Sequence, residues 1–277
     1  IGPDLRMLDE ALTGGTAEGS RLPWEEVRDW FHIANNYVDP IDRAAERLAA
    51  AISGDDEVPN TAALERHLRD AHGITVELKP SDTLRQFDAE QRVLRIASDQ
   101  SAAGVRFQIA YHVAAMTLGD TIRAIAEAAP LRSPVSRELL TIGLVNYAAG
   151  AVLMPYGHFR RAARAFRHDV DRLALLYQTS FEQTCHRLST LQRDGERGLP
   201  IFFCRVDMAG NITKRHSATR FQFARFGGAC PLWIVHEAAA IPDRILVQLA
   251  GTPDGQRYVS IAKGLVKASG RFDRTPR

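Results

Sequence analysis

Cysteine is scarce in this sequence, and the three present, Cys185, Cys204 and Cys230, form no C-x-x-C pair. An odd count excludes a fully paired disulfide framework of the secreted kind and favours a reducing, cytosolic setting. Long apolar runs are missing too: no stretch of about 18 apolar residues occurs, so no membrane span is expected. Neither sign of charge dominates. Thirty-five basic and 33 acidic side chains leave +2, too balanced to argue nucleic-acid binding from charge. The glycine-rich phosphate loops G-x-G-x-x-G and G-x-x-x-x-G-K-[ST] do not occur, nor does the G-x-S-x-G nucleophile elbow. The chain opens IGPDLRMLDE, with no basic start, no apolar core and no initiator methionine. It therefore reads as a fragment without a secretory signal.

What is present is enough for a real core. The chain has 277 residues, 45% of them hydrophobic and 25% charged, which suits one large domain or two to three small ones. The first 20 residues, around TGGTAEGS, read as a flexible lead-in. Residues 23–53 carry a helical pattern, with Pro23 and two acids at its start and a second helix former beginning at Asp39-Pro40. SGDDEVPN breaks it. Residues 61–72 predict an amphipathic helix stopped by Gly73. ITVELK alternates as a strand, and LRQFDAEQRVLRIA predicts two strands joined at Asp88–Gln91. Helices follow over about 102–118, 119–129 and 136–153. The basic stretch 156–192 reads as helical. PIFFCRVDMAGNITKR predicts a hairpin turning at Gly210-Asn211. WIVHEAA predicts a short helix, and RILVQLA and YVSIAKGLV two strands, before a fraying tail.

Residues 106–116 read RFQIAYHVAAM. A zinc-hydrolase helix carries H-E-x-x-H, two histidines gripping the metal and a glutamate acting as base. Here His112 sits at the glutamate position, and Tyr111 and Ala115 hold the ligand positions. His236-Glu237 is half of the same motif, but position 240 is alanine, and the pair reads as coincidence.

The order of elements, together with Arg106, Phe107, Ala110, Asn146, Leu153, Met154 and Pro155, resembles the ImmA/IrrE-type metallopeptidase domain. In that family a third ligand lies two residues before the later asparagine, which is Leu144 here. All three ligand positions are therefore lost. Three further blocks, PWEEVRDWFHIANNYVDPIDRAAE, CHRLSTLQR and VDMAGNITKRHSATRFQFARFGGACPLWIVH, look like the short-chain-acyl regulators of actinobacteria. The resemblance covers about residues 22–262. It implies an α+β fold: a mainly helical degenerate peptidase-like domain with a small hairpin or sheet, and a small α+β cysteine-bearing domain. The expected divisions are 1–57 (lead-in and N-terminal helices), 58–192 (ligand-binding) and 193–277 (cysteine-bearing, with Cys185 lent by the preceding helix). It also implies a non-enzymatic, cytoplasmic transcriptional regulator of fatty-acid, propionate and methylcitrate-cycle genes. The implied ligands are coenzyme A or a short-chain acyl-CoA and a [4Fe–4S] cluster. The implied partners are further copies of the chain, in a dimer or tetramer, and DNA through an upstream helix-turn-helix.

Each candidate site has a plain alternative. Tyr111, His112, Ala115 and Leu144 are either a packed helix face or a cleft that lost its metal and now takes an acyl chain, with Tyr111 offering a hydroxyl. Arg160, Arg161, Arg164 and Arg167 are either a solvated face or, for the first three, the holders of CoA phosphates. Lys214, Arg215, Arg220 and Arg225 compete for that role. Spacing alone makes Cys185, Cys204 and Cys230 inert buried thiols. The resemblance makes them cluster ligands, with His186, His216, His236, Asp207 or an exogenous group as the fourth. A Cys₃His zinc site is the chemical alternative. Two other functions stay open: a hydrolase with a rearranged metal site around His112, and a scaffold that only dimerises.

Overall fold

The computed structural model describes residues 22–54, 56–207, 211–217, 234–251, 255 and 257–265. It divides into two compact units, Ile1–Ile201 with His216–Thr219, and Phe202–Arg215 with Arg220–Arg277. The expected α+β class holds, with helices dominating the first unit. The Gly/Ser lead-in and the tail lie outside the described residues, as do the far side of the 202–217 hairpin turn and the TPDGQ turn, in each case except for single residues.

Two helices open the first unit, α1 (Pro23–Ile33) and α2 (Asp39–Ser53). The turn between them places Asn35 and Asn36 at positive φ, a conformation asparagine tolerates better than most residues. Helix α3 (Thr61–His72) starts at Asn60, whose side chain accepts from Ala63 N, and ends at Gly73 in the left-handed conformation, as its sequence predicts. Strands β1 (Thr75–Lys79), β2 (Arg85–Asp88) and β3 (Val93–Ala97) form a sheet of order β1-β3-β2. β1 runs parallel to β3 and β2 antiparallel to it, with Phe87 opposite Leu94 and Arg85 opposite Ile96. Leu94 and Ile96 are fully buried. Partners in register share a face of the sheet, so Arg85 and Phe87 also sit on the buried side.

Helix α4 (Ala102–Thr117) is capped by Ser101 and buried on most of its circumference. α5 (Gly119–Ala128) leads to α6 (Pro134–Leu153), which starts at Ser133 with Pro134 in its first turn. α6 is apolar all round, the pattern of a central helix, and α1, α2, α4 and α5 all pack on it. Gly143 allows the approach of α1, since a Cβ there would lie 3.0 Å from the Phe31 ring. No single helix among the described residues is long and apolar enough to cross a membrane.

The basic stretch 156–192 is helical, in three pieces. It breaks into α7 (Tyr156–Ala165), α8 (Val170–Tyr177) and α9 (Phe181–Ser189). Arg167, His168 and Gln178 at the breaks take positive φ. Side-chain caps then restart the chain, Asp169 accepting from Arg172 N and Ser180 from Gln183 N. Capping residues inside a helical pattern mark such divisions.

A buried ionic cluster ties these helices together. Asp42 on α2 accepts a forked pair from Arg187 on α9, at 2.7 and 3.1 Å, and a hydrogen bond from Tyr147 on α6. Arg187 Nε donates to Met154 O at 2.9 Å. Arg193 approaches the same carboxylate at 3.5 Å and pairs with Glu46 at 2.8 Å.

The second unit contains the two-stranded sheet of β4 (Phe202–Val206) and β5 (Ile212–Ser217), a short helix α10 (Ile234–Ala240), and the antiparallel pair β6 (Ile245–Gly251) and β7 (Arg257–Lys263). α10 packs on β6 and β7. Its described core is Ile234, Ala238 and Ala262.

Candidate functional site

The altered metal motif lies where the sheet meets α4. Gln108, Tyr111 and His112 fall on one side of α4 by helical spacing. Arg85 and Phe87 reach that side from β2. The Arg85 guanidinium lies 3.4 Å from the centroid of the Tyr111 ring and donates to Gln108 Oε1 at 2.6 Å. The Phe87 and His112 rings are 4.5 Å apart. His112 is 8% exposed, and its Nε2 is buried with no hydrogen-bond partner. Burial first, then the charges of Arg85, His72 and Arg92, hold the imidazole down at about 4. It is uncharged at neutral pH. Tyr111 and Ala115 are half-buried against the core, Met116 is exposed, and Leu144 on α6 is fully enclosed. Helices α4 and α6 pack together.

Arg85 was missed by sequence reasoning. The available signal was the strand pattern itself: in LRQFD, Arg85 alternates with Phe87 and takes the inward register.

The arginines of α7 divide. Arg160 is half-buried with its Nε unpartnered, while Arg161 and Arg164 are exposed. Arg161 lines a surface cavity of about 530 Å³ with Asp56, Glu57, Val58, His158, Ala162, Ala165 and Leu176. In it His158 bridges Glu57, at 2.8 Å from Nε2, and the Tyr177 hydroxyl, at 2.5 Å from Nδ1. A second cavity of about 580 Å³ is lined by Ala165, Phe166, Arg167, Asp169 and Arg172. Tyr111, His112, Ala115 and Leu144 line neither. Of the competing basic set, Lys214 is described on β5, whereas Arg220, Arg225 and the side chain of Arg215 lie outside the described residues.

The cysteines fall in both units. Cys185 is a half-buried free thiol on α9, pushed up to about 12 by burial and by the charges of Glu182 and Asp171. Cys204 is half-buried on β4. Cys230 lies outside the described residues. Of the fourth-ligand candidates, His186 adjoins Cys185 on α9, Asp207 follows β4 and His236 lies on α10, while the side chain of His216 is outside the described residues. Among the described residues, no three His, Cys, Asp or Glu side chains gather as a metal site.

Two family profiles match adjoining stretches of the chain: the IrrE N-terminal-like domain over residues 69–189, and the C-terminal domain of the short-chain fatty acyl coenzyme A regulators over 190–277. The chain belongs to the short-chain fatty acyl coenzyme A regulator family. A solved Mycobacterium tuberculosis transcriptional regulator superimposes with a TM-score of 0.86 at 41% identity, covering 93% of this chain and 78% of that one. The propionyl-CoA carboxylase regulator of Cereibacter sphaeroides is 49% identical over 97% of this chain and 57% of its own length. The HTH-type transcriptional regulator PrpR of M. tuberculosis is 44% identical over 87% of the chain and 50% of its own length. The chain thus spans about half the length of the curated relatives it matches. All three are named as regulators, two of them as transcriptional regulators, in line with the regulatory reading of the sequence.

Proposed function

We propose that this chain is the effector-sensing region of a transcriptional regulator of short-chain acyl-CoA catabolism, propionate catabolism included. CoA or a short-chain acyl-CoA enters the former peptidase cleft at Tyr111, His112 and Ala115, above the core position Leu144. Arg160, Arg161 and Arg164 hold its phosphates. The observation that carries the reading is the state of the old metal motif. The helix and its partner α6 are in place, yet the ligand positions are Tyr111, Ala115 and Leu144, and His112 at the base position is buried and uncharged. Without the metal ligands and the base, the motif has lost the groups that hydrolysis needs. The relatives' names supply the acyl-CoA class.

Cys185, Cys204 and Cys230 would hold a [4Fe–4S] cluster. Thiols are the donors such a cluster takes. Cys185 is a free thiol whose surroundings oppose a bare thiolate, and a bound iron supplies the positive charge that deprotonates such a group. Such a cluster would supply a one-electron couple. The ligand then biases one arrangement of a homo-oligomer, and with it the spacing of DNA-binding segments beyond these residues. This requires that the ligand bind one arrangement more tightly than the other.

The test is the visible spectrum of anaerobically purified chain, with iron, sulfide and zinc assayed on the same sample, followed by a propionyl-CoA titration. The expected result is matched iron and sulfide, lost on Cys185→Ser, and acyl-CoA binding lost on Ala115→Trp with the fold intact. Zinc without sulfide would replace the cluster by a Cys₃His site, and unchanged binding by Ala115→Trp would remove the cleft assignment.

A further inference from the structure

Arg85 and His112 both lack the partner their surroundings call for. Arg85 is half-buried, and its side-chain partners are neutral, Gln108 Oε1 at 2.6 Å and Tyr111. No carboxylate pairs with it among the described residues. A desolvated cation without a counter-charge is unfavourable. Beside it, His112 keeps a buried ring nitrogen with no partner, and such orphaned groups are rare enough to need a reason. The Tyr111 hydroxyl belongs to the same group, on the ring beneath Arg85.

One ligand group satisfies all three, a monoanion with two oxygens. We propose that Arg85, Tyr111 and His112 form a carboxylate site in the vacated cleft. It takes either a free short-chain fatty acid or the distal carboxylate of a dicarboxylic acyl thioester. This rests on the reading of that cleft as a ligand site. A plain acyl thioester is neutral at its reacting end and leaves the guanidinium unmatched. A phosphate carries more charge than one arginine balances, whereas a carboxylate matches one guanidinium in charge and in its two-pronged geometry. The His112 Nε2–H and the Tyr111 hydroxyl serve as neutral donors to it, and Phe87 and Ala115 offer apolar contact to a short alkyl group. Arg85 supplies, without a metal, a positive charge at the site from which the zinc ligands have gone.

The test is calorimetric titration of the 277-residue chain with sodium propionate, inorganic phosphate, propionyl-CoA and succinyl-CoA. The expected result is that propionate binds, or that succinyl-CoA binds more tightly than propionyl-CoA. Arg85→Gln then weakens the carboxylate-bearing ligand at least about tenfold more than propionyl-CoA, with an unshifted melting temperature. Binding of propionate assigns the free acid, and a preference for succinyl-CoA assigns the thioester. His112→Gln is the second variant, expected to weaken the same ligand about threefold to tenfold, and it carries the test if Arg85→Gln does not fold. The proposal is overturned if no carboxylate binds, if phosphate binds as tightly as propionate, or if the variants leave carboxylate affinity unchanged. The cleft reading fails separately: Ala115→Trp then leaves propionyl-CoA binding untouched.

Discussion

The helical unit and the cysteine-bearing unit solve the burial problem on different scales. The first packs α1, α2, α4, α5 and α9 on α6, and its core links buried residues from Phe31 to Leu191. The second, among the described residues, encloses Ile234, Ala238 and Ala262. Its β6–β7 pair is apolar on both faces. Leu246 and Ala262 turn toward α10, while Val247, Leu249, Val259 and Ile261 are between 50 and 72% exposed.

Substitutions that strike one unit alone test this contrast, and hydrogen exchange at α6 and at β6–β7 reads the units separately. The largest effect is expected at Asp42. Asp42→Ala leaves the Arg187 guanidinium, 2% exposed, without its carboxylate. It should destabilise the helical unit by about 3–5 kcal/mol and leave protection at β6–β7 unchanged; urea unfolding gives the magnitude. In the other unit the sensitive point is Gly264, where a Cβ would sit 2.1 Å from Ala238 O. Gly264→Ala should cost about 3 kcal/mol, erase protection in β6–β7 and spare α6. Equal losses in both units from either change would dissolve the contrast.

The pH dependence of the helical unit is next. His112 is held at about 4 in the fold against its ordinary 6.5. Between those values the unfolded chain binds more protons than the folded one, so stability falls as pH drops from 6.5 towards 4. Partial screening by solvent leaves about 2 kcal/mol of this. Arg85, His72 and Arg92 face the imidazole, and His112→Gln should flatten that part of the profile in urea melts at a series of pH values. The smallest effect is expected at Asn60, where loss of the α3 cap in Asn60→Ala should cost about 1 kcal/mol.

Much of this molecule was legible in its residues. The caps Asn60 and Gly73, the strand alternation of 74–79 and 85–97, and the apolar run of α6 carry their structure locally, because each is set by neighbours within a few positions. The degenerate metal motif was legible for the same reason, since Tyr111, His112 and Ala115 lie within one and a half turns of helix. The buried pair of Asp42 and Arg187 was not, although each falls on an apolar stripe of its helix, beside Ala45 and Ala49 in one case and Thr184 and Leu188 in the other. An opposite charge on each of two apolar stripes signals such a pair only once the helices are known to meet. Residues 156–192 read as helical because their hydrophobic period survives the two breaks, and the caps at Asp169 and Ser180 place the divisions within it.

The sequence by itself determined which segments are helix and which are strand over most of the chain, that the zinc ligands are gone, and where three thiols lie along the chain. Helical and strand periodicity and motif identity are properties of neighbouring residues. Only the tertiary structure decided that Arg85 turns inward onto Tyr111, that His112 is buried without a partner for Nε2, and that Asp42 meets Arg187 across 145 positions. Those outcomes depend on which faces pack together, and burial and charge pairing arise only when distant segments share the same space.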